Sequence, residues 1–309
     1  MSDIRYDGQV IIVTGSGNGL GRNHAIEFAK RGAKVVVNDF GGARDGTGGS
    51  SEAAEAVVKE IKDAGGEAIA NGANVTDRAQ VTAMVQQAMD EWGRIDVLVN
   101  NAGILRDRSF GKMTGDEWDA VVAVHLTGSA NCSLAVWNIM KEQGYGRIVM
   151  TTSTSGIYGN FGQANYGAAK AGVWGLMNTL HIEGAKNDIR INCISPTAAT
   201  RMTEDVIPEE ALKVLDPKWV TPAVLFAACK DAPSRTILLA GAGGYSVARL
   251  MESEGVFFEN EADRTPEQIL ANWEQLTDMS DAQQMMTGSD HVSKMVAKAL
   301  GGATSVRQR

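Results

Sequence analysis

The chain has 309 residues, which suits one large α/β domain with an appendage, and its 44% hydrophobic and 21% charged residues exclude a disordered chain. Its 29 lysines and arginines face 37 acidic residues, a net charge of −8, which argues against a nucleic-acid binder, because duplex binding rests on cationic contacts to phosphate. The longest unbroken apolar run, residues 223–229, is seven residues long. That is far short of the roughly 20 that span a bilayer, and no apolar secretory segment opens the chain, so a cytoplasmic location away from membranes is expected.

Residues 10–13 form a β-branched run without polar alternation, the pattern of a strand buried on both faces. A glycine-rich turn follows, then a helical pattern over about 20–31 that Gly32 ends. Residues 35–37 read as the second strand. Residues 40–50 hold five glycines in eleven positions and read as a mobile excursion rather than a second phosphate loop. Helical patterns cover 51–64 and 77–92, the latter with Asp77 as N-cap, and 68–71 is extended. Then come a strand at 95–99, a long helix over about 116–140, a strand at 147–151, a helix over about 164–186, a strand at 189–194 and a seventh near 236–240. Strand–helix alternation at this spacing needs crossover connections. The expected fold is therefore α/β: a Rossmann-type doubly wound parallel sheet of about seven strands, with helices on both faces.

After Gly244 the alternation stops. We expect a dinucleotide-binding and catalytic domain over 1–245 and a helical extension over 246–309, packed on the domain or on a partner subunit. Thr265 as N-cap, Pro266 at the first helical position and Gln268 as the return member of a capping box would start a helix there. Ile269, Leu270, Trp273 and Leu276 would share one face of it. Cys132, Cys193 and Cys229 are far apart and lack zinc spacing, so they read as small buried residues and no metal is expected.

Three groups of residues carry chemistry. The first is Gly15-Ser16-Gly17-Asn18-Gly19-Leu20-Gly21, which follows a buried strand and opens a helix. Glycines let the backbone approach a ligand closely, and the helix N-terminus offers free N–H groups to a pyrophosphate. The second is Asp39 at the end of the second strand, where a carboxylate can accept from both ribose hydroxyls and repels a 2′-phosphate. NAD is therefore favoured over NADP. Arg22, expected to face outward, and Arg44 are the cations nearby. The third is Ser153, Tyr166 and Lys170. Tyr166 and Lys170 stand one helical turn apart, and Ser153 follows a strand end at the carboxyl edge of the sheet. An ammonium beside a phenol favours phenolate, which can take a proton from an alcohol, and a serine hydroxyl can hold the alcohol oxygen.

These pieces, with NNAG at 100–103 and Asn192…Pro196 after the sixth strand, resemble the short-chain dehydrogenase/reductase family over about residues 5–245. The resemblance implies cofactor contacts from Gly15, Ser16, Asn18, Gly19, Leu20, Gly21, Asp39, Asn74, Val75, Asn101, Ala102, Gly103, Tyr166, Lys170, Pro196 and Thr200. It also implies catalysis by Ser153, Tyr166 and Lys170, with Ser153 and Tyr166 on the substrate. His125 stands where the family has an asparagine whose main-chain carbonyl holds a relay water, and is read as a supporting residue. Residues 37–42, 100–110 and 155–166 narrow the resemblance to (3R)-3-hydroxyacyl-CoA dehydrogenase domains of multifunctional β-oxidation enzymes, here in a free-standing bacterial-type form.

The activity so implied is oxidation of a (3R)-3-hydroxyacyl-CoA to the 3-oxoacyl-CoA with NAD⁺, in fatty-acid or steroid side-chain β-oxidation, by a homodimer or homotetramer. The alternatives are a 17β-type hydroxysteroid dehydrogenase, an NADPH-using 3-oxoacyl reductase and, from another class, a non-catalytic dinucleotide sensor. The substrate is thus a small molecule, acyl-CoA or steroid-like. Arg106, Arg108 and Lys112 could meet CoA phosphates, or could form surface ion pairs with Asp107 and Asp116.

Overall fold

The computed structural model describes residues 3–43, 45–199, 210 and 214–301. The chain divides into two compact units, Met1–Val247 and Ala248–Arg309.

The first unit is built on a single sheet in the order β3-β2-β1-β4-β5-β6-β7-β8. Its strands are β1 Val10–Thr14, β2 Lys34–Asn38, β3 Glu67–Asn71, β4 Val97–Asn100, β5 Gly146–Thr151, β6 Ile189–Pro196, β7 Ile237–Gly241 and β8 Gly244–Ala248. The pairings from β3 through β7 are parallel, and Ile12 of β1 registers with Val36 on one side and Leu98 on the other. Every residue of β1 is buried, as its unbroken apolar run requires. The strand order reverses between β1 and β4, and the crevice beyond their carboxyl ends is where open α/β sheets bind ligands.

The connecting helices are α1 Gly19–Lys30, α2 Glu52–Asp63, α3 Arg78–Trp92, α4 Gly115–Val122, α5 Gly128–Gln143, α6 Thr154–Ile157, α7 Ala164–Gly184 and α8 Thr221–Ala228. Their termini follow the sequence chemistry. Asp77 accepts from Ala79 N and Gln80 N at the start of α3, and Gly32 takes a left-handed φ of +91° just past α1. On one face of the sheet, Val35, Val37, Val13 and Ile11 pack with Ala25, Phe28, Val57 and Ile61 of α1 and α2.

Two expectations need correction. The sheet has an eighth strand, because Ala242 and Gly243, both at positive φ, make a tight turn after β7. That two-residue link is too short for a parallel crossover, so β8 returns antiparallel, and its mostly exposed residues give no burial pattern to read. The long helix is also not uniform, because a π-helical turn, Ala123–Thr127, separates α4 from α5. As one element, Gly115–Gln143 is long and apolar enough to cross a bilayer by length and composition alone. Here α5 packs on β4, β5 and α7 as a core helix does. Residues 40–50, the excursion expected between β2 and α2, carry internal backbone bonds, with Ala43 N donating to Thr47 O (2.7 Å) and Ser50 N to Phe40 O (2.9 Å). Arg44 lies outside the described residues.

The second unit contains α9 Pro266–Ala271, α10 Trp273–Leu276 and α11 Gly288–Ala299. Thr265 caps α9 by accepting from Gln268 N, as expected. The capping box does not close, because Thr265 N donates to Asp263 O (2.9 Å) instead of to the Gln268 side chain, and the helix breaks at Asn272. The expected single apolar face therefore divides between two short helices, and Ile269, Leu270 and Trp273 are exposed. Lys294 of α11 is buried and satisfied by Glu252 Oε1 (3.1 Å) and Ser253 O (2.6 Å).

Candidate active site

A cleft of about 1110 Å³ opens along the carboxyl ends of the strands, larger than the roughly 300–1,000 Å³ of a typical small-molecule pocket. The glycine turn forms its floor. Gly15 and Gly19 adopt left-handed φ of +62° and +54°, which L side chains rarely take. A Cβ on Gly15 would stand 2.7 Å from Ala102 Cα, and one on Gly21 would overlap Gly15 O. Asn101 Nδ2 holds the turn through Thr14 O (3.0 Å) and Gly15 O (2.9 Å). Asn18, the N-cap of α1, makes no side-chain cap bond, so the first N–H groups of α1 are free to meet an anion.

Asp39 braces this floor. Its Oδ2 accepts from Gly17 N and its Oδ1 from Gly41 N, each at 2.7 Å. A Cβ on Gly17 would sit 2.8 Å from Asp39 Oδ2, so only glycine fits there. Arg22 pairs with Glu60. A carboxylate in this place can accept from ribose hydroxyls of a bound dinucleotide.

Of the expected cofactor residues, Gly15, Asn18, Gly19, Leu20, Gly21, Asp39, Asn74, Val75, Asn101, Ala102, Gly103, Tyr166, Lys170 and Pro196 all line the cleft. Ser16 does not: it is fully buried, and its hydroxyl donates to Val13 O (2.7 Å) and Asn38 O (3.2 Å), so it shapes the turn from behind. Thr200 lies outside the described residues.

Ser153, Tyr166, Lys170 and His125 meet at the far end of the cleft. Ser153 follows β5 and caps α6, accepting from Ser155 N at 3.1 Å. Tyr166 and Lys170 project from α7, with Lys170 Nζ 5.5 Å from the Tyr166 ring centroid and donating to Thr151 O at 2.6 Å. Burial pushes the Tyr166 phenol up from its usual value, and a hydrogen bond with Ser153 opposes that rise. Burial also pushes the Lys170 amine down, to about 7. The ammonium thus stands beside the phenol as expected, but burial dominates the titration of both groups. His125, 2% exposed, sets its ring edge-on to Tyr166 at 5.0 Å. It stays neutral, because burial and the Lys170 charge depress its pKa well below the usual value.

Several site residues gave little signal in the sequence. Thr14 Oγ1 accepts from Asn101 N (3.0 Å) and Ala102 N (3.1 Å), tying NNAG to the glycine turn. Asn165 Nδ2 donates to Arg106 O and Glu117 O, each at 3.0 Å, and so fixes the start of α7. Of the cationic trio, Arg108 makes a surface ion pair with a partner other than those expected. Arg108 pairs with Glu117 (2.8 Å) rather than with Asp107 or Asp116, and Arg106 Nε donates to Asp45 O (3.0 Å).

The short chain dehydrogenase model matches residues 9–211. A short-chain type dehydrogenase/reductase of Mycobacterium tuberculosis is 47% identical over 277 residues, covering 89% of this chain and 96% of that protein. The structure of full-length peroxisomal multifunctional enzyme type 2 from Drosophila melanogaster aligns with a TM-score of 0.81 at 37% identity, over 96% of this chain and 50% of that one. A 7α-hydroxysteroid dehydrogenase complexed with NADH and 7-oxo glycochenodeoxycholic acid aligns with a TM-score of 0.71 at 29% identity, over 79% of this chain and 98% of that one. The chain spans 66% and 39% of the lengths of the first curated multifunctional enzymes it matches.

Proposed function

The chain belongs to the short-chain dehydrogenase family, and from that footing we propose that it oxidises a secondary alcohol with NAD⁺, the preferred substrate being a (3R)-3-hydroxyacyl-CoA. The observation that carries this reading is the convergence of Ser153, Tyr166 and Lys170 on a cleft whose other end is the Asp39-braced glycine turn. When bound, NAD⁺ supplies the hydride acceptor. The residues that would hold it are the glycine turn at the pyrophosphate, Asp39 at the adenosine ribose, Asn74 and Val75 at the adenine, NNAG along its length and Pro196 near the nicotinamide.

Tyr166 takes the hydroxyl proton as phenolate. The Ser153 hydroxyl donates to the substrate oxygen and positions the carbon that loses hydride. Lys170 favours the phenolate by its charge. Because burial raises the Tyr166 pKa, turnover should increase with pH across the titration of Tyr166.

The acyl-CoA part of the reading rests on the resemblance of residues 37–42, 100–110 and 155–166. Phe161, a lining residue 91% exposed, offers an apolar contact to an acyl chain. A hydroxysteroid is the second reading, favoured by the alignment with the 7α-hydroxysteroid dehydrogenase. In solution we expect a homodimer or homotetramer, with exposed apolar residues such as Leu134 on α5 and Ile182 on α7 available for pairing. A panel of (R)- and (S)-3-hydroxyacyl-CoAs and hydroxysteroids, each with NAD⁺ and NADP⁺, tests the whole reading by reduced-cofactor absorbance. Fastest turnover of an (R)-acyl-CoA with NAD⁺ is expected. Turnover of steroids alone would select the second reading, and a preference for NADP⁺ would overturn the role given to Asp39.

A further inference from the structure

A second cavity, of about 620 Å³, adjoins the cleft. Asp45, Thr47, Arg108 and Glu117 belong to it alone, whereas Leu105, Arg106 and Asp107 line both spaces and so mark where they meet. The junction lies at the reacting end, because Arg106 O accepts from Asn165 Nδ2 (3.0 Å) and Asn165 directly precedes Tyr166. An arm leaving the reacting carbon can therefore turn into this branch past the Arg106 side chain.

The charged groups of the branch differ in what already holds them. Asp45 Oδ1 accepts from Thr47 N (3.0 Å) and Thr47 Oγ1 (2.7 Å), and Asp107 Oδ2 accepts from Gln163 Nε2 (2.7 Å). Glu117 accepts from Arg108 Nε (2.8 Å) and Thr114 N (2.9 Å), so the Arg108 charge is paired. Arg106 is the exception. Its Nε donates to Asp45 O (3.0 Å), which fixes the plane of the guanidinium, while its two terminal nitrogens make no hydrogen bond or ion pair with a described residue. Those nitrogens carry four donors in a rigid fork, the geometry that meets phosphate oxygens two at a time. The lining as a whole holds three carboxylates against two guanidiniums, so recognition here would rest on directed bonds and not on net charge. We propose that this branch takes the pantetheine arm of a coenzyme A thioester and that Arg106 donates to the diphosphate at the end of that arm. This rests on the thioester reading above, and it assigns the phosphate contact to Arg106 and not to Arg108.

The test is calorimetric titration of the full chain, in the presence of NADH, with coenzyme A and with pantetheine, which lacks the phosphates. Wild type should bind coenzyme A at least about tenfold more tightly than pantetheine. Arg106→Gln should reduce that ratio by about tenfold to a hundredfold, the worth of a hydrogen bond between charged groups. Arg106→Lys keeps a cation without the fork and should recover part of the loss. Arg108→Gln should change the ratio by less than about threefold, because its guanidinium is already paired. Turnover gives a second readout: Arg106→Gln should raise the KM of a (3R)-3-hydroxyacyl-CoA relative to that of the N-acetylcysteamine thioester of the same acid by about tenfold, with the effect in KM and not in kcat. Melting temperature and NADH affinity, recorded for every variant, report on the fold and on the cofactor end of the cleft. Equal losses in the Arg106 and Arg108 variants, equal weakening of coenzyme A and pantetheine, or no advantage of coenzyme A over pantetheine in wild type overturns the proposal. A chain that binds coenzyme A through Arg106 yet oxidises no thioester would retire the substrate reading and leave the phosphate contact standing.

Discussion

Asp39 offers the sharpest test of cofactor choice, through the conservative change Asp39→Asn. In the wild type both carboxylate oxygens accept a backbone N–H, from Gly17 and Gly41, each at 2.7 Å. An amide has one accepting oxygen, so one of these N–H groups would lose its partner and face an amide N–H instead. A hydrogen bond to a charged group contributes about 1.5–3 kcal/mol. Asp39 is half-buried, so the lower end applies, about 1.5 kcal/mol or roughly tenfold in affinity. Weaker acceptance from the two ribose hydroxyls adds a similar amount, for a loss of NADH affinity between about tenfold and a hundredfold. NADPH should respond differently. A carboxylate and a phosphate oxygen about 5 Å apart repel by about 3 kcal/mol at an effective dielectric constant of about 20, and that repulsion disappears. Fluorescence titration of NADH and NADPH against both proteins measures the two dissociation constants. The NADPH-to-NADH ratio should fall by at least about a hundredfold. A ratio unchanged within about twofold would refute the assignment of Asp39 to the ribose.

Three further outcomes follow from the same geometry. Gly17→Ala brings a Cβ within 2.7 Å of Ala53 Cβ and 2.8 Å of Asp39 Oδ2; it should weaken NADH binding by at least about tenfold, and unchanged binding would contradict the close fit of turn and carboxylate. Gly103→Ala forces the His125 ring out of its place and should destabilise the protein by about 1–3 kcal/mol, visible in denaturant unfolding. Lys170 gives a pH signature. Its pKa is about 7 in the folded chain, against roughly 10.4 unfolded. The unfolded chain thus holds more proton between these values, so the burial penalty is full below about pH 7 and fades as pH rises toward about 10. Lys170→Met should therefore gain melting temperature relative to wild type at about pH 6 and lose that advantage by about pH 10, whereas a pH-independent difference would contradict the buried, depressed amine.

Much of this was legible in the sequence because the physics is local. Unbroken runs such as 10–13 fix doubly buried strands, and glycines at 15, 19 and 21 are demanded by positive φ or close approach. Tyr166 and Lys170 share a helix face by spacing alone. Features that depend on distant partners were not legible. Ser16 lies within the glycine motif, yet its environment is the carbonyls of Val13 and Asn38, which only the folded sheet brings to it. The π-helical turn at 123–127 keeps the apolar pattern of an ordinary helix and leaves no mark of its own. The eighth strand depends on a two-residue turn in which Ala242, rather than an asparagine or glycine, takes positive φ. Arg108 had two acidic neighbours in sequence and chose Glu117, nine residues on, which the fold brings within 2.8 Å.

The central claim is that the Tyr166 phenol moves the alcohol proton. Tyr166→Phe removes that oxygen and keeps the ring against His125. With a (3R)-3-hydroxyacyl-CoA and NAD⁺, we predict that kcat for NADH formation falls by about a hundredfold to ten-thousandfold while the protein still binds NADH. A variant that binds NADH and turns over within about tenfold of wild type would contradict it.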